Sequence, residues 1–130
     1  MSEHPNVARL RGGYEAFGKG DFAALDDLFA EDIRWTIPGR SQLSGTFEGR
    51  QAVYNMFGRL FEVTEGSFRV EPRKIFADDT DAVVVATSTA HRGQTSLEVL
   101  VAHVCRLRDG RIVEFQEAST DQQAMDDLIG

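Results

Sequence analysis

Two side chains near the end of the chain have the types and spacing for acid–base chemistry. His103 alternates with Val99, Val101, Cys105 and Leu107, so one strand face would carry an imidazole among apolar neighbours. Glu117 shares a face with Val113, Phe115 and Ser119 by the same alternation, while Glu114 and Gln116 take the opposite face. Asp109-Gly110 between the two runs is a two-residue hairpin signal, which places His103 opposite Gln116 or Glu117. An imidazole and a carboxylate in one apolar hollow favour each other's charged forms while burial opposes both, the balance that acid–base catalysis near neutral pH requires. The same pairing is also an ordinary way to satisfy two polar groups in a core, and the residue types alone are compatible with either.

Other residues would shape the hollow. Tyr14 and Phe17 continue an apolar stripe begun by Val7 and Leu10, so Tyr14 either turns its hydroxyl into a pocket or has it satisfied by a backbone group. Trp35 and Phe57 are wall or core on the same terms. Gly12-Gly13 inside that helix costs roughly 1 kcal/mol per glycine relative to alanine, offset either by room for a ligand or by close packing against the strand carrying Trp35. His4, His91 and His103 lack metal-ligand spacing, no Gly-rich phosphate loop is present, and Cys105 has no activating neighbour, so neither a metal nor a cofactor is expected. Asp121, Asp126 and Asp127 read as a solvated helix face.

The elements that must position these residues are legible in the periodicity. Pro5 opens a first helix that Gly18 and Gly20 end; Asp21 caps a second whose buried face is Phe22, Leu25, Leu28 and Phe29. Ile33, Trp35 and Ile37 alternate as a short strand stopped by Pro38-Gly39, and a polar loop follows. From Arg50 the stripe Val53, Met56, Phe57, Leu60 and Phe61 marks a third helix closed by Gly66. Four strands in a meander come next, over about 67–77, 82–91, 95–107 and 112–119, with Pro72 placing the first at an edge or on a bulge. Thr120 and Gln123 have capping-box spacing before a short last helix with Met125 and Leu128. Helices first and strands afterwards give an α+β domain, with the helices on one face of an antiparallel sheet that must curve to bury them.

Composition bounds the partners. The 130 residues, 42% hydrophobic and 27% charged, suit one domain over 1–130 that needs no disulfide or structural metal. One cysteine, no signal-like N-terminus and no apolar run of membrane-spanning length lead to the expectation of a cytoplasmic protein without membrane attachment. With 21 acidic against 14 basic residues, a net charge of -7, and no Lys/Arg cluster, nucleic acid is an unsuitable partner; a neutral or cationic small molecule, or another protein, remains.

Gly20-Asp21-Phe22-Ala23-Ala24-Leu25, Leu28-Phe29-Ala30-Glu31-Asp32-Ile33-Arg34-Trp35 and Ile37-Pro38-Gly39 resemble the start of the SnoaL-like polyketide cyclase and ketosteroid-isomerase-like branch of the NTF2-like superfamily. Gly45-Thr46-Phe47-Glu48-Gly49-Arg50-Gln51-Ala52-Val53 resembles the loop and third-helix start of that family, and Arg108-Asp109-Gly110-Arg111-Ile112-Val113-Glu114 its last hairpin. The resemblance implies an NTF2-like, cystatin-like cone: a curved antiparallel sheet wrapped around three N-terminal helices, with a short C-terminal helix. It also implies an apolar pocket and a homodimer through the outer face of the sheet. His103 falls where the ketosteroid isomerases carry the protonated aspartic acid of their oxyanion hole. Glu117 falls where SnoaL-like cyclases and limonene-epoxide hydrolases place a catalytic aspartate.

Departures from the family narrow the chemistry. Ile37 precedes Pro38 where the isomerases have their catalytic aspartate, and Gly13 falls where they carry the oxyanion tyrosine, with Tyr14 about 100° round the helix. Classical ketosteroid isomerisation is therefore not expected. The epoxide-hydrolase triad is also incomplete, since Arg106 and Arg108 take the parity opposite to His103. The expectation is a cofactor-independent isomerase, cyclase or hydrolase acting on a lipophilic carbonyl- or epoxide-bearing molecule. Glu117 would shuttle the proton, and His103 would donate to the oxyanion or orient Glu117. Tyr14, Phe17, Trp35, Phe57, Val101, Phe115 and Ser119 would contact substrate. The competing expectation is a binding or dimerisation module with the same pocket and no turnover.

Overall fold

The computed structural model describes residues 3–130. Helix α1, Pro5–Gly18, has proline in its first turn and His4 as N-cap, whose imidazole accepts from the Asn6 amide at 3.1 Å. A four-residue α2, Phe22–Leu25, then leads into β1, Phe29–Ile37, and β2, Gly45–Glu48. Helix α3, Arg50–Val63, precedes β3 (Arg69–Ala77), β4 (Asp81–Arg92), β5 (Thr95–Arg108) and β6 (Arg111–Ser119), and α4, Gln122–Ile129, closes the fold.

The six strands form one open, curved sheet in the order β2-β1-β6-β5-β4-β3. Its meander is antiparallel as expected, but β1 runs parallel to β6, pairing Trp35 with Phe115, so the sheet is mixed. The second helix stops well short of its expected length. Leu28 and Phe29 are buried as the spacing requires, yet Phe29 already belongs to β1, which shows how a short apolar run with helical spacing also fits a turn followed by a strand. The expected polar loop contains β2, a hairpin partner of β1 with Phe47 opposite Trp35. Pro72 satisfies both of its readings: β3 is an edge strand, and its register shifts between Pro72 and Lys74. The last helix is capped by Asp121, which accepts from the Ala124 amide, while the Thr120 hydroxyl donates to the Leu100 carbonyl.

The helices cover one face of the sheet. Leu10, Leu25, Ile33, Phe57, Cys105 and Phe115 belong to one buried cluster, and Leu60, Phe68, Val84, Val101, Met125 and Leu128 to a second. On the opposite face Phe76, Val83 and Val104 form a row across β3, β4 and β5, each more than a third exposed, with Leu100 further along β5. Among the described residues no helix is long and apolar enough to cross a membrane.

Candidate functional site

Between helices and sheet lies a partly open hollow. Leu10, Phe17, Trp35, Phe57, Phe115 and Met125 are among its mostly apolar lining, as a site for a lipophilic ligand requires. The aromatic wall is ordered: Trp35 stacks on Phe115 with ring centroids 3.5 Å apart, and Phe57 meets Trp35 edge-on at 5.0 Å.

Three polar side chains meet on this wall. The β5–β6 hairpin turns through Asp109 and Gly110, both with positive φ, as a two-residue turn demands. Its ladder begins with Arg108 opposite Arg111 and Leu107 opposite Ile112, then shifts by one residue, so that Arg106 faces Glu114 and His103 faces Glu117. Val113 is the extra residue of this bulge. It is only half-buried, and Ile112 fills the core position that alternation assigns to Val113. The bulge thus decides that Glu117, rather than Gln116, stands beside the imidazole. His103 Nε2 lies 3.0 Å from Glu117 Oε1, with the two side chains 6% and 13% exposed.

The third member comes from α1. Tyr14 Oη is 2.6 Å from His103 Nδ1, closing a relay Tyr14–His103–Glu117. Side chains lace α1 to the ends of the sheet strands: Asn6 Nδ2 donates to the Asp78 carbonyl and Arg9 Nε to the Gly110 carbonyl. Gly13 lets the helix sit close, because a Cβ there would collide with Leu28 Cδ2, whereas nothing lies within 4 Å of the equivalent point on Gly12. Gly13 is therefore a packing glycine, against Leu28 rather than against the Trp35 strand, and it also lines the hollow.

Proton positions follow from the partners. An ionised Glu117 only accepts, so Nε2–H donates to it, and in the neutral imidazole Nδ1 then accepts from the Tyr14 hydroxyl. Burial, with Cys105 and Glu117 nearby, holds the Tyr14 phenol well above its usual pKa, so it persists as a neutral O–H donor. Burial likewise pushes the Cys105 thiol up to about 12, leaving it inert near neutral pH.

Several expected roles change with this geometry. Both nitrogens of His103 are engaged, Nε2 by Glu117 and Nδ1 by Tyr14. The tip of Tyr14 is satisfied by His103 and not by a backbone group. Tyr14, Phe17, Trp35, Phe57, His103, Phe115 and Glu117 all reach the hollow. Val101 and Ser119 do not line it: Val101 is sealed in the second core cluster, and Ser119 at the end of β6 accepts from the Asp121 amide. The Tyr14–His103 bond is the feature that residue spacing missed. The available signal was a hydroxyl on an apolar helical stripe, which needs a partner once buried.

Residues 10–115 match the SnoaL-like domain, most of the chain. The chain belongs to the SnoaL-like family. The matched span of this SnoaL-like protein takes in Tyr14 and His103, and Glu117 stands just beyond its last residue. Bal32a, from a soil-derived mobile gene cassette, has a similar structure, with a TM-score of 0.91 and 33% identity over 96% of each chain. An NTF2-like protein from Burkholderia xenovorans LB400 superposes with a TM-score of 0.83 and 26% identity, covering 100% of this chain and 99% of that one. The uncharacterized protein Rv0034 of Mycobacterium tuberculosis is 26% identical over 125 residues, 95% of each chain.

Proposed function

We propose that this SnoaL-like protein is a cofactor-independent acid–base enzyme that moves a proton on a lipophilic, carbonyl-bearing small molecule, as an isomerase or cyclase does. The observation that carries the reading is the continuous relay from Tyr14 through His103 to Glu117 on the wall of an otherwise apolar hollow. His103 engages only Oε1 of Glu117, which leaves Oε2 available as a base. In the reaction Glu117 takes a proton from the carbon beside the carbonyl. The C–H pair forms a new C=C bond, and the C=O pair moves onto oxygen. The Tyr14 hydroxyl turns from Nδ1 to that oxygen, giving up a neutral hydrogen bond worth about 1 kcal/mol for a charge-assisted one roughly twice as strong. His103 keeps its Nε2–H on Oε1 and so aims the free oxygen. Glu117 then returns the proton to a different carbon in an isomerisation. In a cyclisation the enolate carbon attacks a second carbonyl, and the new alkoxide takes the proton.

Neither an arginine nor a second carboxylate lines the hollow among the described residues, which favours proton transfer at carbon over epoxide opening. The outer row Phe76, Val83 and Val104 supports pairing of two copies through the sheet face. The test of the catalytic reading is a panel of lipophilic ketones followed by NMR in D2O. Deuterium entering beside a carbonyl faster with protein than without supports the reading, and no acceleration across the panel contradicts it.

A further inference from the structure

We infer that the hollow is a charge filter, admitting uncharged ligands and rejecting carboxylates, and that Glu117 sets this selectivity. The inference rests on the ligand-binding part of the reading above and is independent of turnover. Glu117 is the only formally charged side chain among the described residues lining the hollow, and neither lysine nor arginine joins it there. The single imidazole has Nε2 engaged by Glu117 and Nδ1 by Tyr14, so it offers an entering anion no free hydrogen-bond donor. The arginines of the neighbouring strands gather elsewhere, with Arg108 and Arg111 in a separate polar cleft beside Asp32 and Arg50. An entering carboxylate would therefore face a second carboxylate across an apolar wall. Two like charges roughly 6 Å apart at an effective dielectric constant of about 20 weaken binding on the order of a hundredfold. Loss of hydration alone would also weaken an ion, but it would not depend on Glu117.

Three ligands of one skeleton separate these effects: 2-naphthol, methyl 2-naphthoate and 2-naphthoate, titrated by calorimetry near neutral pH. The two uncharged molecules should bind at least about tenfold more tightly than the carboxylate. Glu117→Gln, with its fold checked by circular dichroism, should tighten 2-naphthoate by about tenfold or more and leave the ester within about threefold. Glu117→Leu serves in its place if the amide variant does not fold. Equal affinity for ester and carboxylate in the native protein overturns the filter. A gap unchanged in the variant also overturns it, since hydration loss would then be the cause. Binding of none of the three removes both the filter and the ligand-binding reading beneath it. A persistent gap without deuterium incorporation in the ketone panel removes only the catalytic reading; incorporation without the gap removes only the filter.

Discussion

Tyr14 on the first helix and His103 on the long fifth strand, 89 residues apart in sequence, are joined by a 2.6 Å hydrogen bond between the phenol oxygen and Nδ1. The bond makes the imidazole a bridge with its opposite nitrogen on Glu117, so helix and sheet share one polar contact inside an apolar hollow. The lacing of α1 to the strand ends and the missing side chain at Gly13 hold the phenol in that position.

Tyr14→Phe removes the group that receives the developing oxyanion in the proposed reaction and keeps the ring. Loss of one such donor lowers kcat by roughly a hundredfold. The folded state should lose about 1–3 kcal/mol, because buried Nδ1 of His103 is left without its partner. Steady-state kinetics and urea melts on the same preparation measure both, and an unchanged kcat would remove Tyr14 from the mechanism.

Alkaline pH should destabilise the fold through the same wall. The Cys105 thiol titrates near 9 when exposed and near 12 in the fold, so between these values the unfolded chain binds fewer protons than the folded one. Stability is therefore full below about pH 9 and falls as pH rises toward 12, by roughly 1.4 kcal/mol for each pH unit between those values. The raised Tyr14 phenol acts in the same direction. Urea melts at pH 8, 10 and 11 should show the loss, with a shallower slope in Cys105→Ala.

The paired glycines of α1 should separate cleanly. Gly12→Ala meets nothing within 4 Å and should stabilise by roughly 1 kcal/mol through helix propensity. Gly13→Ala drives a methyl into buried Leu28, and overpacking of about 1–3 kcal/mol cancels or exceeds that gain. Thermal melts of the two single variants compare them directly, and equal stabilisation would contradict the packing role of Gly13.

The outer sheet face offers a fourth test. Val104→Lys places a charge at the β5 end of the exposed row Phe76, Val83 and Val104, a change that leaves the core untouched. If two copies pair through this face, the native protein sediments as a dimer and the variant as a monomer. A dimer that survives the substitution would move the interface elsewhere.

The meander and its inward face are readable from residue order because β4 and β5 alternate almost without exception, which places His103 correctly. The same rule misassigns Val113. Ile112 and Val113 are equally apolar, and nothing in their types marks which one a bulge will leave out of register. The choice between Gln116 and Glu117 depends on that bulge, and only the ladder resolves it. Phe22, Leu25, Leu28 and Phe29 fit a helical stripe, but the parallel pairing of Phe29 with Ile112 recruits the last residue of that run into a strand and leaves Leu28 in the turn before it. Parallel pairing is set by contacts distant in sequence, as is the meeting of Tyr14 with His103, and periodicity within one segment carries no record of either. Thr120 and Gln123 have the right spacing for a cap, yet Asp121 is closer to the first free amides and takes the role.

The central claim is that Glu117 moves the proton. Its direct measurement is the rate of deuterium incorporation into a bound ketone by the native protein and by Glu117→Gln, with ligand affinity determined for both. The predicted result is a fall of roughly a hundredfold or more in the rate with affinity retained. A variant that exchanges the proton as fast as the native protein would contradict it.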